Sequence, residues 1–154
     1  MSQATDIVKL RKESGAGIMD CKRALEESKG NFAKAKDYLF KKGLDKAAKK
    51  MDRETGSGLV YAYIHHDGEL GVLLKLACES DFVARTDDFK KLAHELAMQI
   101  ASMKPKDIKE LASQAYIRDS GKLVGDLVKE AIAKMGENIK IEEFCRLEFK
   151  RTLC

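Results

Sequence analysis

The four cysteines and the His65-His66 pair are the residues of this 154-residue sequence whose types are most often associated with metal or redox chemistry. Cys21, Cys78, Cys145 and Cys154 have neither CxxC spacing nor paired histidines nearby, so the sequence does not predict a zinc site. The first three lie in apolar patterns and are interpreted as small core residues rather than as a disulfide framework. Cys154 ends the chain and is interpreted as a free thiol, with oxidative cross-linking of two subunits as the alternative.

Signatures of catalysis are also missing from the sequence. It contains no GxxxxGKS or GxGxxG phosphate loop, no HExxH and no GxSxG. His65-His66 lies where a strand enters a turn, and no acidic or nucleophilic partner is fixed nearby, which favours an exposed hairpin edge over a catalytic pair. We therefore expect no catalytic residue, no metal ion and no cofactor, and a function in binding.

Composition and charge limit the class of protein. With 44% hydrophobic residues, 35% charged residues and one proline, the chain is expected to be an ordered, helix-rich globular protein. No apolar run approaches the roughly 20 residues that span a bilayer, and the N-terminus lacks a secretory pattern, so we expect no membrane association and a cytoplasmic location. Residues 1–53 carry 14 Lys and Arg against 8 Asp and Glu, a basic surface that would attract either nucleic acid or an acidic protein partner.

The elements that must position any binding residues begin with three short helices between Thr5 and Gly43. Glycines separate three apolar stripes at helical spacing, Asn31 is placed to cap the third helix, and Gly43 is expected to end it. We interpret residues 1–43 as a three-helix bundle and the charged residues 44–55 as a linker.

The remaining residues, 56–154, predict an α+β unit. Two alternating runs flank Asp67-Gly68, a hairpin signal, and a third alternating run starts at Ile139. A change of parity between Ile141 and Phe144 suggests a β-bulge. Helices are expected after Thr86, from Pro105, and from about Ser120 to Met135. The predicted fold is a three-stranded antiparallel sheet with helices on one face.

Two stretches resemble the elongation factor Ts family. LRKESGAGIMDCKRALEESKGNFAKAKDYLFKKG, residues 10–43, is similar to its N-terminal ubiquitin-associated-type three-helix module, whose signature is approximately LRxxTGAGMMDCKxAL. LACESDFVARTDDF, residues 76–89, is similar to its NCxTDFVAR or NCxTDFVAK segment, with Ser80 in place of threonine. A weaker match over residues 122–148 contains GEN, and there Glu142-Glu143 stands where the family usually has two arginines.

The resemblance implies a guanine nucleotide exchange factor for elongation factor Tu. Such a factor binds the GDP complex and promotes GDP release without covalent chemistry. Ser80, Asp81, Phe82 and Val83 match a loop that contacts the GTPase domain of elongation factor Tu, and the phenylalanine acts there as a wedge that disturbs Mg²⁺ and phosphate contacts. From the residues alone, Phe82 would be a core plug and Asp81 a helix cap.

A second contact with the same partner is implied for the N-terminal module. Arg11, Ile18 and Met19 match positions that dock on a helix of the GTPase domain. The alternative is that Ile18 belongs to the bundle core and Arg11 is a solvated charge. Because the adjacent residues Ile18 and Met19 cannot both point into one small core, Met19 is expected to be the exposed contact.

Assembly and competing functions follow from the same comparison. The chain lacks the second core module of long family members, and short members work as homodimers, so the resemblance implies a homodimer. The alternative function is a basic RNA- or ribosome-binding module without exchange activity. Against it, the sequence shows neither an aromatic RNA-binding strand pattern nor a GXXG loop, and nucleic acid is not expected to be required.

Overall fold

The computed structural model describes residues 3–149. Its helices and strands follow in chain order as α1 Gln3–Ser14, α2 Ile18–Glu27, α3 Phe32–Ala48, β1 Ser57–Ile64, β2 Leu70–Cys78, α4 Asp81–Ala84, α5 Asp87–Met103, α6 Ile108–Ser113, β3 Ala115–Tyr116, β4 Asp119–Leu123, α7 Val124–Met135 and β5 Ile139–Glu148. The predicted α+β fold, with N-terminal helices before a three-stranded antiparallel sheet, is confirmed.

The first three helices enclose a small core of their own. Its buried residues all come from α1, α2 and α3: Leu10, Cys21, Ala24, Leu25, Ala35 and Leu39. Asn31 caps α3 as predicted, since its side-chain oxygen accepts a hydrogen bond from the Lys34 amide at 3.0 Å. The terminal residue Cys154 lies outside the described residues.

Gly43 does not end α3, contrary to our expectation, because it serves close packing instead of helix termination. The helix continues to Ala48, and a Cβ added at Gly43 would lie 3.4 Å from the Ala133 Cβ of α7. Ala47, one turn further, is fully buried in the larger core that the sheet and later helices form. The division into a 1–43 bundle, a 44–55 linker and a 56–154 unit stays a prediction.

The sheet has the strand order β1-β2-β5, with both pairings antiparallel. The predicted Asp-Gly hairpin joins β1 to β2, and Gly68 adopts the left-handed φ of +73° that the turn requires. The predicted bulge is present in β5: Lys75 pairs with Glu143 and Leu76 with Ile141, which leaves Glu142 as the extra residue.

One face of the sheet packs against the helices around a core centred on α5. Thr86 caps this helix as predicted, accepting a hydrogen bond from the Phe89 amide at 3.3 Å, and Phe89 is fully buried. No helix within residues 3–149 is long and apolar enough to cross a membrane. The cytoplasmic location stays a prediction.

The last helix, α7, starts later than predicted because a short hairpin precedes it. We expected a helix from about Ser120, but Ala115–Tyr116 and Asp119–Leu123 form the paired strands β3 and β4. The buried amide of Gln99 holds this hairpin: its Nε2 donates to the Ala115 carbonyl at 3.1 Å, and its Oε1 accepts from the Ile117 amide at 2.9 Å.

Asp20 connects α2 to the extended part of α3 through two ion pairs. Lys42 Nζ lies 2.7 Å from one carboxylate oxygen of Asp20, and Lys46 Nζ lies 2.8 Å from the other. Hydrogen bonds from these two ammonium groups lower the pKa of Asp20 to about 2 from the ordinary value of 3.8. The ion pairs therefore stabilise the fold above pH 3.8, and this contribution is lost as the pH falls from 3.8 towards 2.

We predict that Asp20→Asn lowers the free energy of unfolding by about 1 to 2 kcal/mol at pH 7, because two partly exposed ion pairs that lower the pKa of Asp20 are lost. Urea denaturation at pH 7 and at low pH measures this, and the difference between wild type and variant should shrink below pH 3.8. Glu13→Gln removes an exposed ion pair with Lys36 and is the control, with an expected loss of no more than about 0.5 kcal/mol. An Asp20→Asn effect that does not change with pH would contradict this account.

Candidate functional site

The segment after β2, where the resemblance implied a loop, is a capped helical turn. Ser80 is the N-cap of α4, and its Oγ accepts a hydrogen bond from the Val83 amide at 3.3 Å. Thr86 closes the turn by donating from its hydroxyl to the Val83 carbonyl at 2.7 Å while it caps α5. The cap is thus Ser80 and not Asp81, and two caps hold the segment in one conformation.

Phe82 projects from this turn into solvent. Its side chain is 81% exposed, whereas the next two residues, Val83 and Ala84, are buried in the main core. Successive positions on a helical turn point in different directions, so anchoring Val83 and Ala84 inward directs Phe82 outward. The core-plug interpretation of Phe82 is therefore wrong. We expected Val83 to contact the partner, but its side chain is buried and anchors the turn in the core.

Charged side chains surround the exposed ring. Asp81 and Arg85 form an ion pair at 2.6 Å between Asp81 Oδ2 and Arg85 Nη2, and both side chains are well exposed. Such a solvated pair contributes little to folding stability, so it is free to exchange its partners for those of another protein. Beside it, Asp81, Phe82, Arg85 and Thr86 line an open depression of about 440 Å³.

The inner side of the turn is fastened to the start of β5. The Ser80 amide donates to Glu137 Oε2 at 2.9 Å, and the Ser80 hydroxyl donates to Glu137 Oε1. The Cys78 thiol donates to the Ser80 carbonyl at 3.1 Å, and burial raises the pKa of this thiol. Sequence reasoning matched the GEN segment to the family but assigned no role to Glu137, because its contact with Ser80 spans 57 residues.

The N-terminal group of predicted residues lies on the surface of the bundle. Ile18 and Met19 open α2, and their side chains are 53% and 66% exposed. The buried residues of α2 are Cys21, Ala24 and Leu25, which leaves both members of the pair outside the bundle core. Arg11 is exposed in the last turn of α1. Ile18 is therefore not a core residue, and Met19 is exposed as expected.

Titratable side chains elsewhere form hydrogen-bonded pairs, two of which join a β-strand to α5. Tyr61 Oη lies 2.8 Å from His94 Nδ1, and Tyr63 Oη lies 3.0 Å from His65 Nδ1. Tyr116 donates to Glu95 at 2.7 Å, and burial together with that carboxylate raises the pKa of Tyr116 to about 12. Across residues 3–149, no group of three or more His, Cys, Asp and Glu side chains is placed to hold a metal ion.

This arrangement is suited to binding another protein. A rigid turn presents one aromatic side chain between charges, and a separate helical bundle presents an exposed apolar pair. Exposed aromatic and methionine side chains on a fixed scaffold are typical of surfaces that recognise another protein. Fold and site thus define a protein-binding module.

Comparison with known proteins gives the family. The family model described as Elongation factor TS matches residues 79–153. Elongation factor Ts of Fervidobacterium nodosum is 41% identical over 92% of this chain and 95% of that protein. Elongation factor Ts of Thermotoga neapolitana is 41% identical over 96% of this chain and 98% of that protein. Elongation factor Ts of Aquifex aeolicus is 45% identical over 93% of this chain and 51% of that protein. This chain belongs to the elongation factor Ts family.

The relatives also differ from this chain in length. The alignments with the Fervidobacterium and Thermotoga proteins extend over 187 and 192 positions, more than the 154 residues of this chain. These relatives therefore contain residues, within the aligned region, that have no counterpart here.

We predict that Phe82→Ala changes the free energy of unfolding by less than about 0.5 kcal/mol, because an exposed side chain gives up little buried area. Phe89→Ala is the matched control, the same substitution at a fully buried position, and should lower stability by about 3 to 5 kcal/mol. Urea denaturation followed by circular dichroism compares the two variants. Equal losses of stability would show that Phe82 is packed in solution and would remove it as a surface residue.

Proposed function

We propose that this chain binds elongation factor Tu and accelerates the release of GDP from it, with Phe82 as the wedge. The observation that carries the proposal is the 81% exposure of Phe82 on a turn whose neighbours, Val83 and Ala84, are buried. Membership of the elongation factor Ts family supports the choice of partner.

Exchange requires differential binding and no acid, base or nucleophile. A factor that binds the nucleotide-free GTPase more tightly than the GDP complex weakens GDP binding by the same ratio, because the two equilibria are linked. Phe82 suits this task because a planar aromatic buries a large area while few rotatable bonds are immobilised. Asp81 contributes a charge beside the ring, and Ser80 holds the turn in the conformation that binds.

A second contact would come from the N-terminal helices. Ile18 and Met19 offer an exposed apolar pair, and Arg11 adds a charge on the neighbouring helix. The excess of Lys and Arg in residues 1–53 would speed encounter with an acidic surface, an effect on association rate more than on affinity. Binding at two separate points restrains the partner's orientation. Nucleic acid is not required for this binding.

The face of the sheet opposite the helices supports the proposal of a homodimer. Five exposed apolar residues of this face lie next to one another across the three strands: Ala62, Ile64, Leu73, Cys145 and Leu147. Ile64 lies over Gly71, where an added Cβ would be 2.9 Å from Ile64 Cδ1. We propose a second copy of this chain as the occupant, because the resemblance to short family members implies a homodimer and a contiguous exposed apolar patch marks an interaction site.

The exchange proposal is tested with elongation factor Tu carrying fluorescent GDP and an excess of unlabelled GDP. Wild-type chain should accelerate GDP release in a saturable manner without added RNA. Phe82→Ala should reduce the stimulated rate roughly 30-fold to 1000-fold, the equivalent of about 2 to 4 kcal/mol for a buried interface aromatic. Met103→Ala, at another exposed apolar side chain, is the control and should keep the wild-type rate.

Two outcomes would contradict this account. Absence of any acceleration by folded wild-type chain would remove the exchange function. If Phe82→Ala accelerates GDP release as strongly as the wild-type chain across a full titration, the exchange function stands and Phe82 is not the wedge. Binding of RNA by a wild-type chain that does not accelerate GDP release would favour the RNA-binding alternative.

We predict that light scattering at micromolar concentration gives a mass twice the 17.2 kDa of one chain. Leu73→Lys at the centre of the exposed sheet face should weaken the dimer by roughly 100-fold or more, because it buries an unpaired ammonium in each subunit. Val8→Lys adds the same charge at an exposed position of α1 and should leave the dimer intact. A free wild-type mass of 17.2 kDa, together with a single copy of this chain in the complex with elongation factor Tu, would exclude the dimer.

A further inference from the structure

The end of α7 contacts the Phe82 turn from the inside. Gly136 ends the helix with a left-handed φ of +77°, which turns the chain so that Glu137 and Asn138 lead into β5. Both residues form hydrogen bonds with segments that are distant in sequence. This junction therefore fixes the place from which the turn starts.

Glu137 controls the hydroxyl that caps the turn. Its carboxylate has no proton to donate, so the Ser80 amide and the Ser80 hydroxyl both donate to it. With its proton directed to Glu137, the Ser80 oxygen presents a lone pair to the Val83 amide at 3.3 Å. The carboxylate thus orients the cap and, through the cap, the helical turn that carries Phe82.

Asn138 keeps Glu137 itself in place. The Asn138 side chain is 1% exposed, and its Nδ2 donates to the carbonyls of Met51 at 3.1 Å and Arg53 at 2.7 Å. Its backbone amide donates to Glu79 Oε1 at 2.6 Å. Asn138 therefore forms hydrogen bonds both with the segment after α3 and with Glu79, the residue before Ser80. These bonds restrain the backbone next to Glu137.

The exposed ring cannot hold its own position. With 81% of its surface in solvent, Phe82 has few contacts that would keep the turn in one orientation. The position of the ring depends on the cap at Ser80 and on the buried Val83 and Ala84. A wedge that enters a partner must meet it at a defined angle, because misplacement by about 1 Å can reduce a rate roughly 100-fold.

We propose that Glu137 is a positioning residue for GDP release, which sets the orientation of Phe82 by fixing Ser80. This inference rests on the proposed exchange function. Glu137 does not touch the partner in this account, and its effect passes entirely through the turn.

The test is a double-mutant cycle in the GDP-release assay. Glu137→Ala should lower the maximal stimulated rate about 10-fold, and Ser80→Ala should lower it to a similar extent. In the Phe82→Ala background, Glu137→Ala should change the rate by less than about twofold, because the side chain it positions is gone. Glu137→Gln keeps an acceptor for the Ser80 amide and should restore part of the rate.

A matched control separates positioning from a general loss of charge or stability. Glu130→Ala removes a carboxylate of α7 that pairs with Lys122 and does not contact the turn, and it should leave the rate within about twofold of wild type. If Glu137→Ala does not fold, Glu137→Gln is tested with and without Phe82→Ala, and an equal fold-change in both backgrounds would overturn the inference.

Failure of the inference is distinct from failure of the proposed function. If folded wild-type chain does not accelerate GDP release, the exchange function and this inference both fall. If wild type accelerates release and Glu137→Ala does so equally well, only the positioning role falls. The same conclusion follows if Glu137→Ala lowers the rate by the same factor with and without the Phe82 side chain.

Discussion

The hydrogen bonds around Ser80 are the constraint on which the presentation of Phe82 depends. One hydroxyl donates to Glu137 and accepts from Val83, so it joins the end of α7 to the start of α4. Loss of either bond would leave a polar group of this half-buried site without its partner, which typically costs about 1 to 3 kcal/mol.

Within residues 3–149, folding leaves apolar surfaces uncovered, among them the ring of Phe82 and the outer face of the sheet. Full burial of a phenylalanine is worth about 1.5 to 3 kcal/mol, and the fold forgoes this at Phe82. The outer face of the sheet leaves Ile64, Leu73 and Leu147 exposed in the same way. Each surface retains free energy that only association can release. Separate surfaces allow a dimer to form without blocking the binding of another protein.

Elements that depend on local signals were predictable from the sequence, and those that depend on distant contacts were not. The Thr86 cap of α5 and the Asp67-Gly68 turn follow from residues a few positions apart. Gly43 has the sequence signature of a helix end, but Ala133 of α7 makes it a packing residue. Cys145, predicted in the core, is exposed because the bulge at Glu142 exchanges the faces of the following residues. The site residues came from the family resemblance, whereas the roles of Ser80 and Glu137 needed the folded chain.

The most direct test of the account is the ratio of two affinities, measured by titration calorimetry with elongation factor Tu. Linkage requires that this chain bind the nucleotide-free form more tightly than the GDP form, by the factor with which it weakens GDP binding. The account predicts that the ratio of the affinity for the nucleotide-free form to the affinity for the GDP form is large for wild type. For Phe82→Ala this ratio should fall most of the way to one, because the account has the wedge bind only in the nucleotide-free state. Equal affinities of the wild-type chain for the two forms would contradict it.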